Sequence, residues 1–183
     1  MRVRRRDLRA ICAIILHIAL YALIPIFLGQ QVQPLWLLSF GAVLIWCSLY
    51  DFWHFIIPDL GVLILVGLGT AWALSIYGSL PLALVLSGLL WAATLWALRS
   101  AFRVLRGIET LGIGDIKLIG ALGLWLGPLA TAHALLIASL SAICFLVIIK
   151  IWTLRDVPIT EIALPFGSFL CLSAWAIWFI EVI

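Results

Sequence analysis

Eight acidic residues occur in the chain, and two of them occupy positions that a solvated surface role does not explain. Asp51 follows the apolar run 35–50, at what should be a helix carboxyl end. The helix dipole is negative there and disfavours a carboxylate. Asp115 closes Gly112-Ile113-Gly114-Asp115 and opens the next apolar run. A bland account makes it an N-cap after a glycine turn, while the same glycines would let an extended strand lie close to the backbone. Acids beside hydrocarbon are costly and point to function by default. Two carboxylates sharing one site cannot both ionise easily, so one holds a proton while the other accepts one. Such a pair can activate a water and protonate a leaving amine.

The other titratable groups compete weakly. Pro58-Asp59 reads as a helix start, with Asp59 a first-turn or capping acid. Asp7, Asp156 and Glu161 lie near arginines and read as solvated, and Glu181 sits at the far-side terminus. His17 and His133 fall within apolar runs as packed or hydrogen-bonded helix residues, and His54 is a lesser candidate for the site beside Asp51. Cys12, Cys47, Cys144 and Cys171 are scattered and form no CxxC pair, so they read as small apolar helix residues rather than a zinc site or a disulfide framework. No serine or cysteine triad is visible, and neither a metal nor a cofactor is expected.

The elements that must position these acids are membrane helices. Of the 183 residues 66% are hydrophobic and only 10% charged, against about 25% charged in a soluble domain. This excludes a disordered chain, a soluble nucleic-acid binder and a disulfide-stapled module. Residues 10–50, 60–98, 118–149 and 162–180 contain no Asp, Glu, Lys or Arg. One crossing needs about 20 apolar residues. The polar turn at 29–34, the Gly78–Pro81 turn and Gly127-Pro128 divide the longer stretches. The expected fold is an all-α polytopic membrane protein of one domain, 1–183. Its seven spans lie at about 10–28, 35–50, 60–77, 81–98, 115–127, 128–150 and 165–182. Six spans result if 118–149 is one tilted helix. With five arginines before residue 10, the amino terminus is expected in the cytoplasm, and this topology places all 11 basic residues there.

Gly112-Ile113-Gly114-Asp115-Ile116-Lys117-Leu118 resembles the GxGDxKL signature of the type IV prepilin leader peptidases. Asp51 followed by Ile57-Pro58-Asp59 is similar to the family's other catalytic segment. Pro165-Phe166-Gly167-Ser168-Phe169-Leu170 resembles its late PFGPFL motif, with Ser168 where proline is usual. The resemblance covers about residues 35–183. It implies an aspartic endopeptidase that removes the basic leader of type IV prepilins or type II secretion pseudopilins at the cytoplasmic membrane face. By resemblance Asp51 and Asp115 are the catalytic pair. Gly112, Gly114, Lys117, Pro58, Asp59, Pro165, Phe166 and Gly167 support the motifs or the substrate. Lys117 faces either the cytoplasm or the acids. The implied partners are a pilin helix and membrane lipid, with no nucleic acid, in the bacterial inner membrane.

Two departures qualify the resemblance. Members that also methylate the new amino terminus often carry paired CxxC motifs, which are absent here, so methyl transfer is not expected. Trp53 stands where many members carry a second acid. Alternatives are a preflagellin or other small-pilin peptidase, and a catalytically silent membrane subunit. A transporter fits less well, because transport sites place ionisable groups near mid-membrane and every acid here lies near an end of a span.

Overall fold

The computed structural model describes residues 18–19, 21–23, 33–107, 111–152 and 164–182. These residues form helices joined by short connections, with no strand among them. The span expected at 10–28 falls largely outside them. Helix α1, Pro34–His54, starts on a proline and ends where Phe55 turns left-handed, its N–H bonded to the Asp51 carbonyl at 2.8 Å. Helix α2, Asp59–Tyr77, follows Pro58 and stops at Gly78. Helix α3, Leu82–Arg106, follows Pro81 and stops at Gly107. Both prolines stand immediately before their helices, because each lacks the N–H that a helix interior requires. Helix α4 is Ile113–Trp152. Helix α5, Phe166–Ile177, continues into a π-helical turn, Trp178–Val182.

Four of these helices, α1 to α4, are long and apolar enough to cross a membrane, and Phe166–Glu181 is a shorter apolar helix. Two boundaries differ from expectation in ways that matter. Helix α1 runs past Tyr50, so Asp51 lies inside its last turn. Helix α3 runs past Leu98 to Arg106. Leu, Ala and Arg keep good helix propensity where the uncharged run ends, so charge alone does not mark the helix end. Within α4, Gly127 leaves helical geometry at φ 75°, immediately before Pro128. Two side chains brace this break. Thr131 donates to the Gly127 carbonyl at 2.6 Å, and Trp91 of α3 donates to the Pro128 carbonyl at 3.0 Å.

Lipid gives helices little hydrophobic reason to associate, so close packing of small residues must do it. The α3–α4 contact follows that rule. A Cβ on Gly88 would stand 2.4 Å from the Gly120 carbonyl oxygen, and one on Gly123 would stand 2.5 Å from Gly88 Cα. The other side of α4 carries Trp125 into the centre. Its ring stacks on Phe40 at 4.1 Å and lies 5.5 Å from Trp72, and its N–H bonds to the Leu65 carbonyl at 3.0 Å. One indole thereby joins α1, α2 and α4 with its own buried N–H satisfied. Trp178 closes the same cluster edge-on to Phe40.

Gly123→Ala should destabilise the detergent-solubilised protein by about 1–3 kcal/mol, since backbone cannot yield to the added methyl. Gly67→Ala should not, because a Cβ there meets open space. Thermal unfolding of the two variants side by side checks this.

Candidate active site

Asp51 is buried, at 5% exposure. It sits in the last turn of α1, but its hydrogen-bond donors come from α5. The Ser168 N–H donates to Asp51 Oδ2 at 2.9 Å, and the Ser168 hydroxyl lies 3.3 Å from the same oxygen. That hydroxyl donates to the Ser48 carbonyl at 2.7 Å, one turn back along α1. Gly167 turns its N–H to the carboxyl as well. Gly167 and Ser168 are the second and third residues of α5. The first N–H groups of a helix have no partner within it and carry its positive dipole end. The acid expected to face a negative helix end therefore also faces a positive one.

Asp115 is the third residue of α4, and not its N-cap. Gly112 occupies that position, its carbonyl accepting the Ile116 N–H at 3.4 Å. The Asp115 carboxyl reaches back to the Gly112 N–H, which is the returning half of a capping box. A Cβ on Gly112 would lie 2.8 Å from Asp115 Oδ2. On the other side of this loop, an Arg99 guanidinium N–H donates to the Leu111 carbonyl, tying the end of α3 to the start of the glycine segment.

Asp51 and Asp115 line one cavity of about 570 Å³, together with Tyr50, Ile57, Gly112 and Gly114. The two carboxyls are close enough to act on each other electrostatically. Pro58, Asp59 and Lys117 also line it. Lys117 donates to Asp59 Oδ1 at 2.7 Å, and both side chains are substantially exposed. A groove of about 520 Å³ with a largely apolar lining runs on between α2, α3 and α4. It shares Asp59 and Lys117 with the cavity. Pro165, Phe166 and Gly167 stand at the start of α5, and of these Gly167 touches Asp51 directly.

Two side chains hold this arrangement without having drawn notice in the sequence. Ser168 entered only as a departure from a motif. Ile57 entered only as part of Ile-Pro-Asp, yet it is 5% exposed in the connection between α1 and α2. A Cβ on Gly114 would be 3.2 Å from Ile57 Cβ, and one on Gly167 would be 2.8 Å from Ile57 Cδ1. Ile57 thus fills the space that the two glycines leave. Its burial, unusual for a residue between helices, is the signal that composition could not carry.

Other candidates stand apart. Trp53 is exposed, edge-on to Phe52, and does not line the cavity. His54 stacks on Tyr50 at 4.3 Å and lies within 3.2 Å of that residue's carbonyl. His133 pairs with Glu181 at 2.7 Å. Among the described residues no group of three His, Cys, Asp or Glu side chains could hold a metal ion.

Gly167→Ala should destabilise the protein, and Ile57→Ala should cost about 2–5 kcal/mol by opening a cavity. Combined, they should cost less than the sum, with a coupling of about 0.5–3 kcal/mol, because the truncated Ile57 makes room for the methyl. A double-mutant cycle by thermal or denaturant unfolding measures it.

Comparison with known proteins identifies a family. Residues 38–147 match the type IV leader peptidase family. A prepilin leader peptidase/N-methyltransferase of Xanthomonas campestris pv. campestris is 32% identical over 147 residues, covering 77% of this chain and 50% of its own length. One from Aeromonas salmonicida is 32% identical over 161 residues, 85% of this chain and 54% of the relative. One from Pectobacterium carotovorum subsp. carotovorum is 38% identical over 140 residues, 75% of this chain and 47% of the relative. The chain thus spans about half the length of these curated relatives. No solved structure matches.

Proposed function

The chain belongs to the type IV leader peptidase family, and from that premise we propose that it is an aspartic endopeptidase with Asp51 and Asp115 as its catalytic pair. Its substrates are type IV prepilins or type II secretion pseudopilins. It removes their basic leader at the cytoplasmic face of the bacterial inner membrane. The observation that carries the proposal is that these two acids, from different helices, line one cavity.

The reaction needs only the two carboxyls and water. The ionised carboxyl takes a proton from water as its oxygen attacks the scissile carbonyl carbon. The protonated carboxyl gives its proton to the carbonyl oxygen, forming a tetrahedral diol. Collapse of the diol breaks the C–N bond, and the departing amine takes the proton that the first carboxyl had accepted. The diol's hydroxyl proton returns to the second carboxyl and resets the pair. A helical peptide hides its carbonyls, so the cleaved segment must be extended where it meets the Gly112–Asp115 loop. The apolar groove between α2, α3 and α4 suits the substrate's hydrophobic helix, and its junction with the cavity at Asp59 and Lys117 would lead the chain onward to the acids.

Co-expression of a prepilin substrate in membranes tests this reading. Asp51→Asn and Asp115→Asn should each lower cleavage by at least about 10²-fold while remaining folded. Glu181→Gln, whose partner is His133, should cut like wild type. Normal cleavage by both asparagine variants would sink the assignment, and the acids would then be helix-end groups only.

A further inference from the structure

We propose that Ser168 is a positioning residue for Asp51, holding one carboxyl oxygen so that the other is presented to the cavity. The inference rests on the aspartic peptidase reading above. Both Ser168 contacts end on the same atom. The Ser168 N–H lies 2.9 Å from Asp51 Oδ2, and its hydroxyl lies 3.3 Å from it. Oδ2 is thereby engaged by Ser168, and in this proposal Oδ1 is the oxygen that exchanges protons with water or with Asp115. The hydroxyl adds a second constraint. By donating to the Ser48 carbonyl at 2.7 Å, it fastens the turn of α1 that carries Asp51 to the first turn of α5. Rotation of the carboxyl would break a buried backbone hydrogen bond, because Ser168 is only 8% exposed and water cannot readily replace it.

Proline at the same position, as in the motif this segment resembles, has neither a backbone N–H nor a hydroxyl to offer. Here one residue supplies both. The hydroxyl can also respond to the state of Asp51. It has one proton, which bonds the Ser48 carbonyl in the present geometry. When Oδ2 carries negative charge, the same proton can swing toward it over a short arc. Ser168 acts only through Asp51 and need not touch substrate.

The test compares Ser168→Ala, Ser168→Thr and Ser168→Pro with wild type and Asp51→Asn, each purified and assayed for prepilin cleavage. Alanine keeps the N–H and loses the hydroxyl; it should lower kcat about 10-fold, as expected for one hydrogen bond to a charged group, with KM changed less than about twofold. Threonine should restore most of kcat. Proline, tolerated in a helix's first turn, removes both donors and should lower kcat further than alanine. Wild-type kcat in the alanine and proline variants overturns the inference, and so does a loss that threonine fails to restore. Infrared spectra give a readout that does not need cleavage. The carboxyl band absent in Asp51→Asn should shift in Ser168→Ala and shift further in Ser168→Pro. If wild type cuts and Asp51→Asn does not, but that band stays unmoved in both Ser168 variants, only the Ser168 inference falls. If wild type cuts nothing and the band still shifts, the peptidase reading falls and the positioning contact stands.

Discussion

Ile57 sits where three chain segments must meet without a side chain to separate them. Gly114 brings the start of α4 against it, Gly167 brings the start of α5 against it, and Ile57 itself belongs to the link that follows Asp51. Any Cβ at Gly167 would enter the space of Ile57 and of the Asp51 carboxyl together. The buried isoleucine therefore sets the distance at which the two helix starts approach the end of α1. The rest of the site inherits that distance. A methyl at Gly167 would press on both Ile57 and the Asp51 carboxyl, and one at Gly114 would push Ile57 back by a few tenths of an ångström.

Helix starts give this meeting point its electrostatic character. Asp115 is held by the beginning of its own helix, and Asp51 by the beginning of α5. Asp115 receives the Gly112 N–H, and Asp51 receives the Gly167 N–H and the Ser168 N–H, the latter shared with the Pro165 carbonyl at 3.2 Å. Such donors are fixed by the backbone and do not titrate. They orient a carboxylate without placing a second charged side chain beside it. Lys117, the cation nearest in the motif, is engaged instead by Asp59 at the rim. An exposed pair of this kind contributes about 1 kcal/mol of stability at most, so its importance lies in where it holds the lysine.

The frame around the site follows from the poverty of driving forces in lipid. Glycines on α3 and α4 let backbones touch, while the Trp125 indole fills the space between α1, α2 and α4 and satisfies its own N–H. Small against small and large into the gap gives rigid packing where burial of apolar area cannot discriminate. The break at Gly127 is compatible with that rigidity, since Thr131 and Trp91 occupy the carbonyls beside it.

Much of this was legible in the residues alone. Charge-free runs of membrane length show that the chain is built of apolar helices, and acids beside such runs are few enough to single out Asp51 and Asp115. The glycine, proline and lysine positions around them carry the family's pattern. The tertiary structure alone decided which groups face the acids. It put Ser168 and Gly167 on Asp51, made Gly112 and not Asp115 the helix cap, joined Lys117 to Asp59, and buried Ile57 between two glycines. The reason is physical. In a soluble helix the alternation of polar and apolar residues reveals the inward face. In lipid every face is apolar, so the pattern tells where a helix lies and not which way it turns. Which side chains meet across helices is then set by shape, through close approach at glycine and fit around large residues, and shape exists only once the chain is folded.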